Sequence, residues 1–173
     1  MPTIRVANIR DAASLARLAE RTFRDTFASS NTSENMELHC QSSYGEAIQA
    51  SELKHPAMQT LVCEEGGALI GFAQLRWGDA PPCVSSPSPG ELLRLYVDRP
   101  WHGRGVAQAL MAACLNALRA RGSTTAWLGV WEHNPRAIAF YRKFGFEEVG
   151  EHVFPVGTDP QRDVVMTRWL GGG

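Results

Sequence analysis

Short apolar or alternating runs over Thr3–Val6, Thr60–Cys63, Leu69–Leu75, Glu91–Val97, Thr125–Val130, Glu147–Phe154 and Val164–Trp169 each predict a β-strand. Between them lie stretches whose apolar residues recur at helical spacing. The first follows Asp11, a plausible cap, and sets Leu15, Leu18, Ala19, Thr22 and Phe23 on one side. A second starts at Ser33 with Met36 and Glu37 behind it, and a third covers residues 46–53 and stops at Lys54-His55-Pro56. A fourth follows Gly105 and aligns Val106, Ala109, Leu110, Ala113, Cys114 and Ala117. The fifth opens at Asn134 with Pro135 in its first turn, carries Ala137, Ile138, Tyr141 and Phe144 on a broad face, and ends at Gly145. Strands with helices inserted between them predict a mixed α/β sheet and exclude a regular doubly wound one.

The punctuation fits one compact unit. Glu64-Glu65-Gly66-Gly67 is a hairpin turn, and the proline- and serine-rich stretch Gly78–Gly90 is expected to be a mobile loop at the rim of a site. A chain of 173 residues suits a single domain spanning 1–173. No apolar run of eighteen residues exists, so no membrane span is expected, and the net charge of −1 offers no reason for a nucleic-acid partner. Cys40, Cys63, Cys83 and Cys114 form no CxxC pair, and the five histidines have neither HxH nor HxxxH spacing. That spacing argues against a metal site and fits a reducing compartment, so a cytoplasmic location is expected.

The chemistry gathers around Glu91–Leu110. Leu93, Leu95 and Val97 share one face of a strand that ends before Pro100, and Trp101-His102-Gly103-Arg104-Gly105 then turns into a helix. A strand, a glycine turn and a helix N-terminus set several unpaired N–H groups around one small space, which suits an anion. Neither GxxxxGK[ST] nor GxGxxG is present, because Gln108 stands where the third glycine of the latter belongs. Taken alone, the turn is open to two readings: a phosphate cradle, or an ordinary strand-to-helix connection.

The segment His102-Gly103-Arg104-Gly105-Val106-Ala107 resembles the pyrophosphate loop Gln/Arg-x-x-Gly-x-Gly/Ala of the GNAT superfamily of N-acetyltransferases, with His102 in place of Gln/Arg. Trp127–Phe146, through Asn134, Ala137, Phe140-Tyr141 and Gly145-Phe146, resembles a second motif of that superfamily. The resemblance implies a mostly antiparallel mixed sheet with flanking helices and two splayed central strands. It implies acetyl-CoA as donor, with the backbone near Leu95 and Val97 holding pantetheine. Pyrophosphate would lie on His102, Gly103, Arg104, Gly105, Val106 and Ala107, and Asn134 would touch the pantetheine arm as well as cap its helix.

It also implies direct attack by an amine, with Glu91 as general base and Tyr141 as general acid. The plainer readings are a surface glutamate at a strand entry and a packing tyrosine. Residues 22–36 and 145–166 resemble small bacterial spermidine/spermine N-acetyltransferases. Asp25, Glu34 and Glu37 beside Phe23 and Phe27 could then receive a polycation, or could be solvated faces. The expected partner is a small-molecule amine, and a homodimer is the assembly to look for. The alternatives are a protein or peptide acceptor, or a noncatalytic acyl-CoA-binding domain.

Overall fold

The computed structural model describes residues 1–171. Seven strands, β1 (Thr3–Val6), β2 (Met58–Glu65), β3 (Ala68–Trp77), β4 (Pro89–Val97), β5 (Thr125–Trp131), β6 (Glu147–Val156) and β7 (Asp159–Trp169), form one sheet in the order β1-β2-β3-β4-β5-β7-β6. Every neighbouring pair is antiparallel except β4 and β5. The five helices are α1 (Ala12–Phe27), α2 (Ser33–Ser43), α3 (Glu46–Lys54), α4 (Val106–Ala120) and α5 (Pro135–Lys143).

Helices α1 and α2 cover one face of the sheet, where Leu15, Leu18, Phe23, Phe27, Met36 and Tyr44 pack on Val62 and Phe72. On the other face α4 sends Val106, Leu110, Met111, Cys114, Leu115 and Leu118 against Leu75, Leu92, Ala126 and Leu128, and α5 packs at the margin of that core. Burial of these apolar stripes supplies the main folding free energy, at about 25 cal/mol per Å² removed from water. Gly66 and Gly67 both take left-handed dihedrals and join β2 to β3, so the hairpin turn is tighter than the four residues expected.

Three local expectations change. Asp11 makes no side-chain cap to α1; Asn8 caps a short 3₁₀ turn instead, and the Asp11 carboxylate accepts from the Asn8 N–H and from Arg5. The 78–90 loop does not reach the rim of the main cavity. Val84 is buried against Trp127 and Val165, Cys83 lies against Gly150, and Pro89 and Gly90 already belong to β4. Leu93 does not share a face with Leu95 and Val97 through simple alternation. A bulge in the β3–β4 ladder, where Gln74 pairs with Arg94 but Leu75 pairs with Leu92, leaves Leu93 unopposed. The extra residue puts Leu92, Leu95 and Val97 toward α4, and Glu91, Arg94 and Tyr96 toward the opposite side.

The splay follows from the pairing. The β4–β5 ladder consists of Pro89↔Thr125, Gly90↔Ala126 and Glu91↔Trp127, and beyond Glu91 the two strands separate. Gly90 allows the close approach at this vertex: a Cβ there would stand 2.5 Å from Leu118 and 2.7 Å from Ser123 Oγ. Among the described residues, no helix is long and apolar enough to cross a membrane.

Candidate active site

A cavity of about 850 Å³ passes through the gap between β4 and β5. Its α4 side is lined by Leu95, Val97, His102, Gly103, Gly105, Val106, Ala107, Asn134 and Tyr141, so the structure brings these sequence-chosen residues to one space. The Asp98 N–H donates to Ile70 O on β3. Strand alternation therefore turns the N–H and C=O groups of Leu95 and Val97 the other way, toward the gap, where no strand pairs with them. His102 places its Nε2 2.7 Å from the Val97 carbonyl oxygen, a contact in which the ring N–H donates. The imidazole thus closes the turn back onto β4.

Gly103 and Gly105 have φ of +75° and +83°, and open space lies where each Cβ would be. Among the described residues, the N–H groups of Gly103 to Ala107 have no hydrogen-bond partner, and the first inward bond of the turn is Ala109 N–H to Gly105 O. Arg99, Arg136 and Lys143 also line the cavity, and Arg104 stacks on Trp101 at 5.2 Å. Unpartnered N–H groups at a helix N-terminus beside basic side chains suit an anion.

Asn134 caps α5, its Oδ1 accepting from the Ala137 N–H at 3.2 Å, and Pro135 follows where its missing N–H costs nothing. The cap fixes the start of the helix that carries Tyr141. That ring packs edge-on against Phe140 and Phe146, and burial pushes the phenol well above its ordinary pKa. Tyr141 is consequently protonated throughout the neutral range.

Glu91 is not brought to the cavity wall. Its carboxylate is buried at the vertex and accepts from Arg76 Nε at 2.8 Å, and burial raises its pKa against the opposing effect of that arginine. Glu34 and Glu37 also lie outside the lining, Glu37 being paired with Arg24. Asp25 reaches the mouth, 3.6 Å from Arg99.

The opposite side of the gap holds Phe23 and Phe27, which the sequence placed beside an acceptor, together with His39, Trp131 and Phe154, which it did not mark for that role. Phe23, Phe27, His39, Tyr44, Trp131 and Phe154 line it as an aromatic chamber, with Phe23 stacked on His39 at 4.1 Å and Phe27 5.5 Å from Trp131. Desolvation holds His39 below its ordinary pKa, assisted by Arg94. Arg94 is itself bound to Glu52 at 3.1 Å and to Gln74. Asp163 adds a carboxylate to the chamber wall. It was missed because the last strand starts at Asp159 instead of Val164, so an acid expected in a loop lies inside β7. The only sequence signal was a single acid leading an apolar run.

Residues 15–146 match the acetyltransferase (GNAT) family. The chain belongs to that family. An uncharacterised N-acetyltransferase of Mycobacterium tuberculosis is 33% identical over 160 residues, covering 92% of this chain and 98% of its own. One from Lactobacillus delbrueckii subsp. lactis is 29% identical over 161 residues, covering 93% of each chain. The fold is similar to that of PaiA N-acetyltransferase of Thermoplasma acidophilum, solved in complex with coenzyme A, with a TM-score of 0.78 at 21% identity over 98% of this chain and 99% of that one. This GNAT chain is thus an acetyl-CoA-dependent transferase with a mixed, splayed sheet. Acetyl-CoA supplies the acetyl group as an activated thioester, and the Gly103–Ala107 cradle and basic rim fit its pyrophosphate.

Proposed function

We propose that this GNAT enzyme transfers acetyl from acetyl-CoA to a primary amine of a small organic cation by direct attack in a ternary complex, and that the cation is a polyamine such as spermidine. The observation that carries the reading is the continuous cavity through the β4–β5 gap, with a phosphate cradle on one side and an aromatic, acid-bearing chamber on the other. Two substrates entering from opposite faces meet without a covalent enzyme intermediate.

Gly103 to Ala107, with Arg136 and Lys143, take the pyrophosphate. The gap-facing backbone groups of Leu95 and the Val97 N–H hold the pantetheine arm, and Asn134 supports the helix beside it. His102 keeps the Val97 carbonyl in place. The amine nitrogen forms the C–N bond while the C–S bond breaks, Tyr141 delivers its phenolic proton to the departing sulfur, and the proton shed by the newly acylated nitrogen restores the phenol.

A polyamine suits the chamber because ammonium groups are attracted to aromatic faces, while Asp163 supplies negative charge within it. An acceptor panel at fixed ionic strength and saturating acetyl-CoA tests the assignment. Spermidine and spermine should exceed monoamines, amino acids and lysine-containing peptides in kcat/KM. Turnover confined to peptides or monoamines would replace the polyamine while keeping the transferase. Absence of turnover on every amine would leave a noncatalytic acyl-CoA-binding domain.

A further inference from the structure

Attack by an amine requires a neutral nitrogen, but a primary alkylamine reaches the enzyme as an ammonium ion. Its proton therefore needs a destination on the acceptor side of the gap. Glu91 does not meet this need directly, since its carboxylate is bound to Arg76 and stands outside the cavity lining. Asp163 does face the cavity. It is only 6% exposed, and on β7 it pairs across the sheet with Trp131 of β5 on one side and His152 of β6 on the other.

His152 is placed behind it. The imidazole Nε2 lies 3.6 Å from Asp163 Oδ2, slightly beyond a formed hydrogen bond, and it is buried with no hydrogen-bond partner. Its ring occupies the space that a Cβ at residue 129 would need, so Gly129 of β5 is what admits it. Trp127 meets the ring edge-on at 6.4 Å. The groups facing His152 are Asp163 from β7 and Glu91 from β4, the latter backed by Arg76, whereas Gly129 and Trp127 of β5 carry no titratable group. A half-buried imidazole whose Nε2 is buried, unsatisfied and 3.6 Å from a cavity-lining carboxylate is an unusual arrangement for packing alone.

We propose that Asp163 receives the acceptor ammonium and that His152 is the final holder of its proton, the two acting as a relay at the sheet vertex. The assignment rests on the acetyl-transfer reading above. The ammonium N–H donates to the Asp163 carboxylate. One proton passes to that carboxylate and leaves its N–H bond electrons on nitrogen as the lone pair that attacks. Asp163 then passes the proton to His152 Nε2, returning to a carboxylate that pairs with the new imidazolium. Charge balances: one cation is consumed and one formed, and Asp163 ends as it began. Asp163 also favours the protonated ring, raising the His152 pKa above the ordinary imidazole value despite partial burial. Such a pKa suits a group that must take a proton near neutrality. Asp163 is the catalytic residue of the pair, and His152 is a positioning and proton-storing residue that acts through it.

The test uses the full chain with acetyl-CoA, spermidine and phenethylamine as acceptor probes. His152→Gln should lower kcat/KM about 10- to 100-fold at neutral pH and move the rising limb of the profile to alkaline pH. Its rate should approach wild type where the amine is already neutral in solution, a rescue that loss of packing would not give. Asp163→Asn should also raise KM for the amine. Independently of turnover, the His152 ring followed by NMR in the presence of CoA should titrate at lower pH when either amine is added, because the ammonium competes for Asp163. In Asp163→Asn the same ring should titrate lower still and ignore the amines. An unchanged pH profile in His152→Gln, or a His152 titration indifferent to both amines, overturns the relay. Failure of the wild type to acetylate any amine, with His152 still responsive, would instead defeat the transferase reading and leave the ammonium site.

Discussion

A phenol buried against Phe140 and Phe146 is neutral at physiological pH, and Tyr141 has that environment beside the cavity. Removing its hydroxyl while keeping the ring isolates the proton from the packing. Tyr141→Phe should therefore bind CoA nearly as the wild type does and lose about 100-fold in the single-turnover chemical rate. An unchanged rate would mean that the thiolate leaves without help from this residue. The acceptor-side groups show how differently like residues can be used. Asp25 is held beside Arg99, Glu37 beside Arg24, and Glu91 beside Arg76, whereas Asp163 meets only a histidine whose charge depends on pH. Sign of charge along the sequence did not separate these cases, because the separating factor is the partner.

Between residue and fold, the decisive element is the β4 strand. It is paired along its length with β3 but with β5 only over Pro89–Glu91, and the bulge at Leu93 changes which side chains face α4. Gly90 lets β4 lie against Leu118 of α4 and Ser123. Gly90→Val would force side-chain atoms into that contact and into the Trp77 Nε1–Ser123 Oγ hydrogen bond of 2.8 Å. We expect it to cost about 1–3 kcal/mol. At this chain length that is a fall in Tm of about 2–12 °C. Thermal unfolding followed by circular dichroism checks it, and an unchanged Tm would mean that the vertex tolerates a wider β4–α4 spacing. The cap at Asn134 and the turn at Gly105 set the two helix entries beside the gap, so local chain chemistry positions the cradle and Tyr141 separately.

At the scale of the whole molecule, the gap divides a sheet that is otherwise continuous. A ligand spanning β4, the Gly103–Ala107 turn and α5 therefore ties together parts that share few direct bonds. At 100 times its Kd, CoA should stabilise the protein by about 2.7 kcal/mol. At this length that is a rise in Tm of about 5–11 °C. Gly105→Trp should remove most of the rise. Residue 105 has φ +83° in space left open beside the unpartnered N–H groups, and a large side chain both strains that backbone and fills the cradle. A folded Gly105→Trp protein showing the full CoA-dependent shift would place the pyrophosphate elsewhere.

Much of the donor half of the site was legible in the sequence because it depends on contiguous residues: a strand end, glycines with left-handed dihedrals, a helix start and a capped second helix. Within each of these segments, neighbours in sequence are also neighbours in space. The strand count and the mixed sheet were readable for the same reason, from local periodicity and turns. The acceptor half was not. Trp131, His39, Phe154 and Asp163 come from β5, α2, β6 and β7, and meet only because the sheet order β5-β7-β6 brings late strands beside the central pair. The Leu93 bulge changed the facing of half of β4, and Glu91, bound to Arg76 of β3, stands outside the cavity lining. Local physics fixes what each segment becomes, whereas which charge is neutralised and which remains available depends on partners that only strand pairing supplies.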